Sequence, residues 1–220
     1  MSSLDLRALQ AKTLRLGWTT TQGSLDQVPR EAQRLGWEVV PTRPGEDAIG
    51  TLKPATTTNA NPKSLSAVYG LNAQPLHTDG AHLAQPPDLV FLHATVPNET
   101  PTLLWSKKLD LHAASPHLHH PPPGGIFLVH GASEPFLTGA HIHGFKWRYD
   151  PGCMSACDQR ARALSEFLIQ AATRAYQHSW SKADMLLVID NKAALHGRAA
   201  VADGDQNREI RRVAVRMKKQ

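Results

Sequence analysis

The sequence predicts a mostly β chain with flanking helices, folded as a β-sandwich or jelly roll. Three observations carry this. Apolar runs of strand length recur along the chain, among them "DLVFLHATV", "TPTLLW", "GIFLVHG" and "DMLLVI". Helical periodicity is confined to two stretches, a short one early and a long one late. Strands and helices do not alternate, as they would in a parallel α/β sheet. At 220 residues one domain is the economical reading, long enough to bury a core without disulfides. Residues 1–68 read as an N-terminal helix, strand and loop wall, and residues 69–220 as the jelly-roll core.

Near the start, "SLDQVPREAQRLGWEVVP" reads as a short helix and then a strand. Ser24 and Gln27 have capping-box spacing, and Gly36 ends the helix before Trp37–Val40. Residues 41–70, rich in Pro, Thr, Asn and Gly, read as loops with brief extended pieces. Residues 86–96 form the strongest early strand, and 100–105 the next, after the turn-like "PNE". Residues 112–125, "HAASPHLHHPPPGG", are too rich in proline and glycine for regular structure and read as a surface lid or connector. "GIFLVHG" and "HGFKWRYD" continue the strand texture. Leu164, Phe167, Leu168, Ala171 and Ala175 then repeat at helical spacing, predicting a long helix over about 155–178. Residues 184–189 and "REIRRVAVRM" return to strand.

Charged residues make up 20% and apolar ones 41% of the chain, which excludes wholesale disorder. No apolar run reaches membrane-spanning length, and "MSSLDLRALQ" lacks the basic-then-apolar order of a secretory signal. No membrane partner and a cytoplasmic location are the expectations. Lys and Arg exceed Asp and Glu by five (24 − 19). Much of that excess sits in "NREIRRVAVRMKKQ", without an aromatic-rich basic stripe or a nucleic-acid motif, so no nucleic acid is expected. The field suits anionic small molecules instead. The two cysteines, Cys153 and Cys157, are too few for a disulfide framework. With His141 and His143 they can be drawn as a zinc site, but the spacing is not that of a finger. Two small, partly buried residues at a helix start are the simpler reading.

The chemistry centres on "PLHTDGAH". His77 and Asp79 stand two apart, and on an extended strand such residues share a face and can present an imidazole and a carboxylate to one ion. Downstream, "MLLVI" leads into "DNKAALHGR", where His196 can arrive as a third ligand. Two histidines and one carboxylate on one face of an octahedral Fe(II) leave three positions for cosubstrate and oxygen. Zinc would favour a more closed tetrahedron and magnesium more oxygens. Arg208 and Arg212, four apart in "NREIRRVAV", can share a strand face and point into one pocket. A guanidinium grips a carboxylate through two parallel hydrogen bonds, which suits a dicarboxylate. Arg211 and Arg216 read as a solvated basic edge.

"PLHTDGAH", "PTLLW", "RYDPGCM", "LLVIDNKAALHGR" and "REIRR", in that order, resemble the taurine/2-oxoglutarate dioxygenase (TauD/TfdA) family of non-haem iron oxygenases, as a compact member. The resemblance runs from about Tyr69 to the C-terminus and is general before it. It implies a double-stranded β-helix, the jelly-roll fold of cupins. It implies His77, Asp79 and His196 as ligands of Fe(II), which is also the catalytic centre. Arg208 would hold the far carboxylate of the cosubstrate 2-oxoglutarate, and Thr102 would hydrogen-bond that cosubstrate. Arg212 would lie near its iron-bound end or touch an anionic substrate. This chain has "NETPT" where the family usually has paired glycines before that threonine.

The activity implied is dioxygenase chemistry. Dioxygen and 2-oxoglutarate become succinate and carbon dioxide while an unactivated C–H bond of a small-molecule substrate is oxidised, hydroxylation being the usual outcome. The arginines suggest an anionic or amino-acid-like substrate. Related halogenases lack the metal carboxylate, so Asp79 disfavours halogenation. Only about 90 residues separate "PTLLW" from His196. An open pocket, a small lid from residues 106–146 or a homo-oligomer completing the site all fit that spacing. Among the other residues, His82 and His93 read as structural or supporting, and His130, His141 and His143 as pocket-lining or surface. Asn191 reads as a turn residue, Asp190 as support for the turn or for His196, Tyr69 and Asn72 as substrate contacts, and Trp147 as core. Two other classes remain: a metal-binding jelly-roll protein without oxygenase turnover, and a nucleic-acid dealkylase suggested by the charge.

Overall fold

The computed structural model describes residues 4–41, 45–107, 121–122, 124–131, 134–142 and 146–218. Two antiparallel sheets dominate. The larger runs β1 (Trp18–Gln22), β13 (Met185–Asp190), β5 (Leu89–Ala94), β15 (Ile210–Arg216), β2 (Glu38–Val40), with β3 (Gly50–Leu52) also paired to β15. The smaller runs β12 (Tyr176–Trp180), β6 (Asn98–Ser106), β14 (Ala194–Arg198), β4 (Gln74–His77). A three-stranded piece, β11 (Met154–Ala156), β7 (Ile126–Val129), β8 (Phe136–Gly139), and the pair β9 (His141–Ile142) and β10 (Lys146–Trp147) lie apart in pairing. The helices are α1 (Leu6–Leu16), α2 (Gln27–Arg34), the single turn α3 (Ser66–Tyr69) and α4 (Gln159–Ala172). The architecture is mostly β, antiparallel and jelly-roll-like.

Alternation along the strands builds three layers of core. Val90, Leu92 and Ala94 of β5, with Leu187 and Ile189 of β13 and Ala214 of β15, face Leu104, Trp180 and Ala194 of the smaller sheet. The opposite faces of the same strands, Leu89, Phe91, Leu186, Val188, Val213 and Val215, pack under α1 and α2 through Leu6, Val28 and Ala32. The outer face of the smaller sheet meets α4, where Leu103, Trp105 and Leu195 contact Ala161, Leu164, Leu168 and Ala171. Each fully buried Val, Leu, Ile or Phe side chain among them stabilises the fold by about 1.5–3 kcal/mol. A site between the sheets is therefore set in well-packed walls.

Several elements depart from the sequence-based expectation. The late helix is shorter than 155–178. Asp158 caps it, accepting from the Ala161 N–H at 2.7 Å, and residues 154–156 before it pair with β7 instead. After Ala172 the alternating "YQHSW" becomes β12 on the edge of the smaller sheet, because period-2 burial there outcompetes continued helix. Ser24 and Gln27 form no capping box, since the Gln27 carboxamide accepts from the Leu4 N–H. Helix α1 and strand β1 went unforeseen, although Asp5 caps α1 through Ala8 and Gly17, at φ +93°, ends it. β15 is an interior strand and not an edge, so Arg211 reaches Asp26 and Arg216 reaches Glu38 across the sheet's helix-bearing side and rim. Most of the 112–125 stretch, His143 included among its neighbours beyond, lies outside the described residues.

One buried residue makes acid stability readable. His178 on β12 is 4% exposed, packs edge-on against Trp180, and burial pushes its imidazole down to about 4. The folded form thus binds fewer protons than the unfolded chain between about pH 6.5 and 4. Its stabilising contribution is whole above that window and is lost as pH falls through it. Between pH 7 and 5 the loss from this one group is about 2 kcal/mol. His93 is lowered by burial too, so His178→Gln is expected to lessen the acid loss without abolishing it. Thermal melting at the two pH values checks this, and equal slopes for both proteins would sink the assignment.

Candidate metal centre

His77 ends β4 and pairs directly with His196 of β14, which in turn pairs with Leu104 of β6. This row faces the space between the sheets. Two glycines make the geometry available. A Cβ on Gly197 would stand 2.7 Å from the Gln74 carbonyl and 2.9 Å from that of Pro75, so only glycine lets β14 approach β4 this closely. Gly80, at φ +67°, turns the chain directly after Asp79, and a Cβ there would meet Leu83 and Pro87 at 3.0 Å. Asp79 thus sits in the turn beyond β4, with Thr78 tied to Tyr149 through its own N–H (2.6 Å).

The donor atoms converge. Asp79 Oδ1 lies 3.6 Å from His77 Nε2 and 3.6 Å from His196 Nε2. The three ligand atoms lie within 4.8 Å of one another, and this is the one such group among the described residues. The His77 Nδ1–H donates to the Pro75 carbonyl at 3.0 Å, which leaves Nε2 as the lone-pair face toward Asp79. The other carboxylate oxygen, Asp79 Oδ2, accepts from Arg212 Nε at 2.6 Å. One oxygen is held from behind while the other faces the imidazoles, which suits a single-oxygen metal ligand. Burial alone would raise the Asp79 carboxyl, but Arg212 and the two imidazoles hold it well below the usual range. Burial also opposes charge on His77, yet Asp79, Asp150 and the Pro75 carbonyl raise it on balance. His196 moves down, through burial and the neighbouring His77.

The backbone of Asp79 is fixed by Asn191, which does more than form a turn. Asn191 Oδ1 accepts from the Asp79 N–H at 2.9 Å, and Nδ2 donates to the carbonyls of Asp79 (3.0 Å) and Pro87 (2.9 Å). Asn191 is fully buried. Asp190 supports the turn, accepting from the Lys192 and Ala193 N–H groups.

One step along the smaller sheet, about 6.6 Å by strand rise, a second row faces inward: His178, Thr102 and Arg198. Thr102 Oγ1 accepts from the Trp180 indole at 3.1 Å, leaving its own proton to donate. Arg198, 9% exposed, clasps the carbonyls of Gly70 and Asn72 ahead of β4. Its i, i+2 relation to His196 was the signal that could have marked it. Arg208 precedes β15 and donates from Nη1 to Asn98 Oδ1 (2.8 Å) and to the Thr100 carbonyl (2.6 Å). It forms no ion pair with a described carboxylate, and burial, then Arg198, push it down to about 10. Arg212 on β15 faces the sheet interior and reaches Asp79.

The remaining sequence candidates lie elsewhere. His93 faces the helix side of the larger sheet beside Asp184, His130 is exposed and bonded to Ser155, and Trp147 is buried core. Both cysteines are free, and no cluster of metal-ligand type joins them to His141 among the described residues.

No protein-family model and no curated protein matches the chain by sequence. Solved structures match by fold. Asparagine oxygenase, in complex with Fe(II), 3-hydroxyasparagine and succinate, aligns with a TM-score of 0.63 at 16% identity, over 96% of this chain and 78% of that one. PvcB from Pseudomonas aeruginosa aligns with a TM-score of 0.63 at 22% identity, over 96% and 80%; it is described as an Fe, α-ketoglutarate-dependent oxygenase from an isonitrile synthetic pathway. The non-haem iron oxygenase OrfP, in complex with Fe, succinate and (3S)-hydroxy-L-Arg, gives 0.64 at 19% identity, over 97% and 80%. The chain therefore has the fold of iron- and 2-oxoglutarate-dependent oxygenases. No helix among the described residues is long and apolar enough to cross a membrane.

Proposed function

We propose that this chain is a compact Fe(II)- and 2-oxoglutarate-dependent dioxygenase of the TauD/TfdA kind, a single domain whose two packed sheets are the halves of a double-stranded β-helix. The observation that carries the proposal is the convergence of His77 Nε2, Asp79 Oδ1 and His196 Nε2 on one point. The donor set fits a hard-to-borderline divalent iron with open positions. Bound there with 2-oxoglutarate, iron supplies the oxidising chemistry: substrate–H, 2-oxoglutarate and dioxygen become substrate–OH, succinate and carbon dioxide.

The chain's own groups position the reactants. His77, Asp79 and His196 would hold the metal, and Arg212 keeps Asp79 turned toward it. Arg208 would take the far carboxylate of 2-oxoglutarate, and Thr102 would donate its hydroxyl proton to the same molecule. The walls of Leu104 and its core neighbours exclude water from one side. An amino-acid-like small-molecule substrate fits the hydroxylated amino acids held by two of the fold neighbours.

The test is succinate formation and oxygen uptake with Fe(II), 2-oxoglutarate and a panel of free L-amino acids. At least one amino acid is expected to raise both rates together and to gain one oxygen atom in mass. Iron and cosubstrate binding without succinate formation on any substrate would favour a metal-binding protein without turnover.

A further inference from the structure

We propose that Asp205 is a positioning residue that sets the guanidinium of Arg208 for the far carboxylate of 2-oxoglutarate; the inference rests on the functional reading above. Asp205 opens the short 3-10 turn Asp205–Asn207, entered through Gly204 at φ +93°. Its side chain does not pair with Arg208. Instead one oxygen, Oδ2, accepts three hydrogen bonds from β6: the Glu99 N–H at 2.9 Å, the Thr100 N–H at 2.6 Å and the Thr100 hydroxyl at 2.6 Å. β14 ends opposite Thr102, so this part of β6 lies beyond its strand partner there, and the carboxylate takes that place.

Arg208 grips the same residue from its other end. Its Nη1 donates to the Thr100 carbonyl, and its backbone N–H donates to the Asp205 carbonyl at 3.0 Å. Thr100 is fully buried, and its hydroxyl oxygen also accepts from the Ala202 N–H at 3.0 Å. The loop between β14 and β15 is thus bolted to one residue of β6 by Asp205 and Ala202, and the guanidinium of Arg208 is registered against that same residue.

The indirect arrangement has a consequence for anion binding. A carboxylate placed directly on Arg208 would neutralise it and occupy its fork. Asp205 steadies the cation one residue away, while Arg208 Nη1 alone is engaged and Nε and Nη2 have no partner among the described residues. Those are the donors a carboxylate would need.

The experiment is an anaerobic titration of the Fe(II)-loaded protein, read by its visible charge-transfer absorbance, for the wild type, Asp205→Ala and Asp205→Asn. Two ligands are compared: 2-oxoglutarate, and 2-oxobutyrate, which chelates iron alike but lacks the far carboxylate. Asp205→Ala is expected to need about 10-fold or more 2-oxoglutarate while its half-saturation by 2-oxobutyrate and its iron affinity stay unchanged. Asp205→Asn, which keeps one acceptor oxygen, is expected to fall between, and it carries the comparison if the alanine variant does not fold. Equal weakening for both ligands would make Asp205 a merely structural residue and overturn the proposal, as would no weakening. A wild type that binds iron but gives no signal with 2-oxoglutarate would overturn the functional reading itself, and this inference with it.

Discussion

Asp79→Ala is expected to abolish iron binding and to destabilise the fold at the same time. The first effect follows because Asp79 supplies the only carboxylate of the His77–Asp79–His196 group, leaving two tilted imidazoles 4.5 Å apart between centroids. The second follows from Arg212, which is 6% exposed and donates to Asp79 through Nε. Removing one partner of a buried ion pair costs about 3–5 kcal/mol, because the buried guanidinium loses the carboxylate that its Nε donates to. The two effects separate in a double variant. Asp79→Ala with Arg212→Met removes both charges and is expected to recover most of the lost melting temperature while still failing to bind iron. Calorimetric melting beside an iron titration checks both halves. Retention of iron by Asp79→Ala at wild-type affinity would remove this residue from the metal centre.

Arg208→Met is expected to raise the 2-oxoglutarate requirement by about 100-fold or more, the value of a pair of charge-assisted hydrogen bonds. The stability consequence differs from that of Asp79. Arg208 has no ion-pair partner among the described residues, and burial already disfavours its charge. Exchanging it for an apolar side chain of similar length loses the contacts to Asn98 and Thr100 and relieves the desolvation of the cation, so the unfolding free energy is expected to change by no more than about 1 kcal/mol. Iron affinity should not move. Titrations with iron alone and then with cosubstrate separate the two, and an unchanged cosubstrate requirement would place the carboxylate elsewhere.

The parts of this architecture that were legible in the sequence are those with a strong local signal. The runs at 89–94, 102–106, 186–190 and 212–215 are strands whose residues are buried on both faces, between helices on one side and the second sheet on the other. The His-x-Asp pair was legible from its residue types, although Asp79 lies in the turn beyond β4 and not on the extended strand that the spacing suggests. Less was visible at the ends of helices. "AYQHSW" continues the helical apolar spacing through Ala175 but alternates from Tyr176, and tertiary pairing with β6 decided between the two periods. Helix α1 has a weakly apolar face, with only Leu6 and Thr13 buried, so its periodicity was too faint to read.

The site shows the same division. Residue types with metal-ligating chemistry announced themselves, whereas their supports did not. Asn191 is 112 positions from the backbone it holds, and Asp205 is 105 from Thr100. No spacing rule connects residues that meet only after two sheets have packed. Gly197 is a further case, since its need to be glycine comes from the carbonyls of Gln74 and Pro75 on another strand.

The most direct measurement is an anaerobic titration of the metal-free wild-type protein with Fe(II) and 2-oxoglutarate, followed by visible absorbance. A metal-to-ligand charge-transfer band that saturates at one iron and one 2-oxoglutarate per chain is the result expected from His77, Asp79, His196 and Arg208 acting together. A folded protein that shows no band with both in excess would contradict the assignment of this site to iron and 2-oxoglutarate.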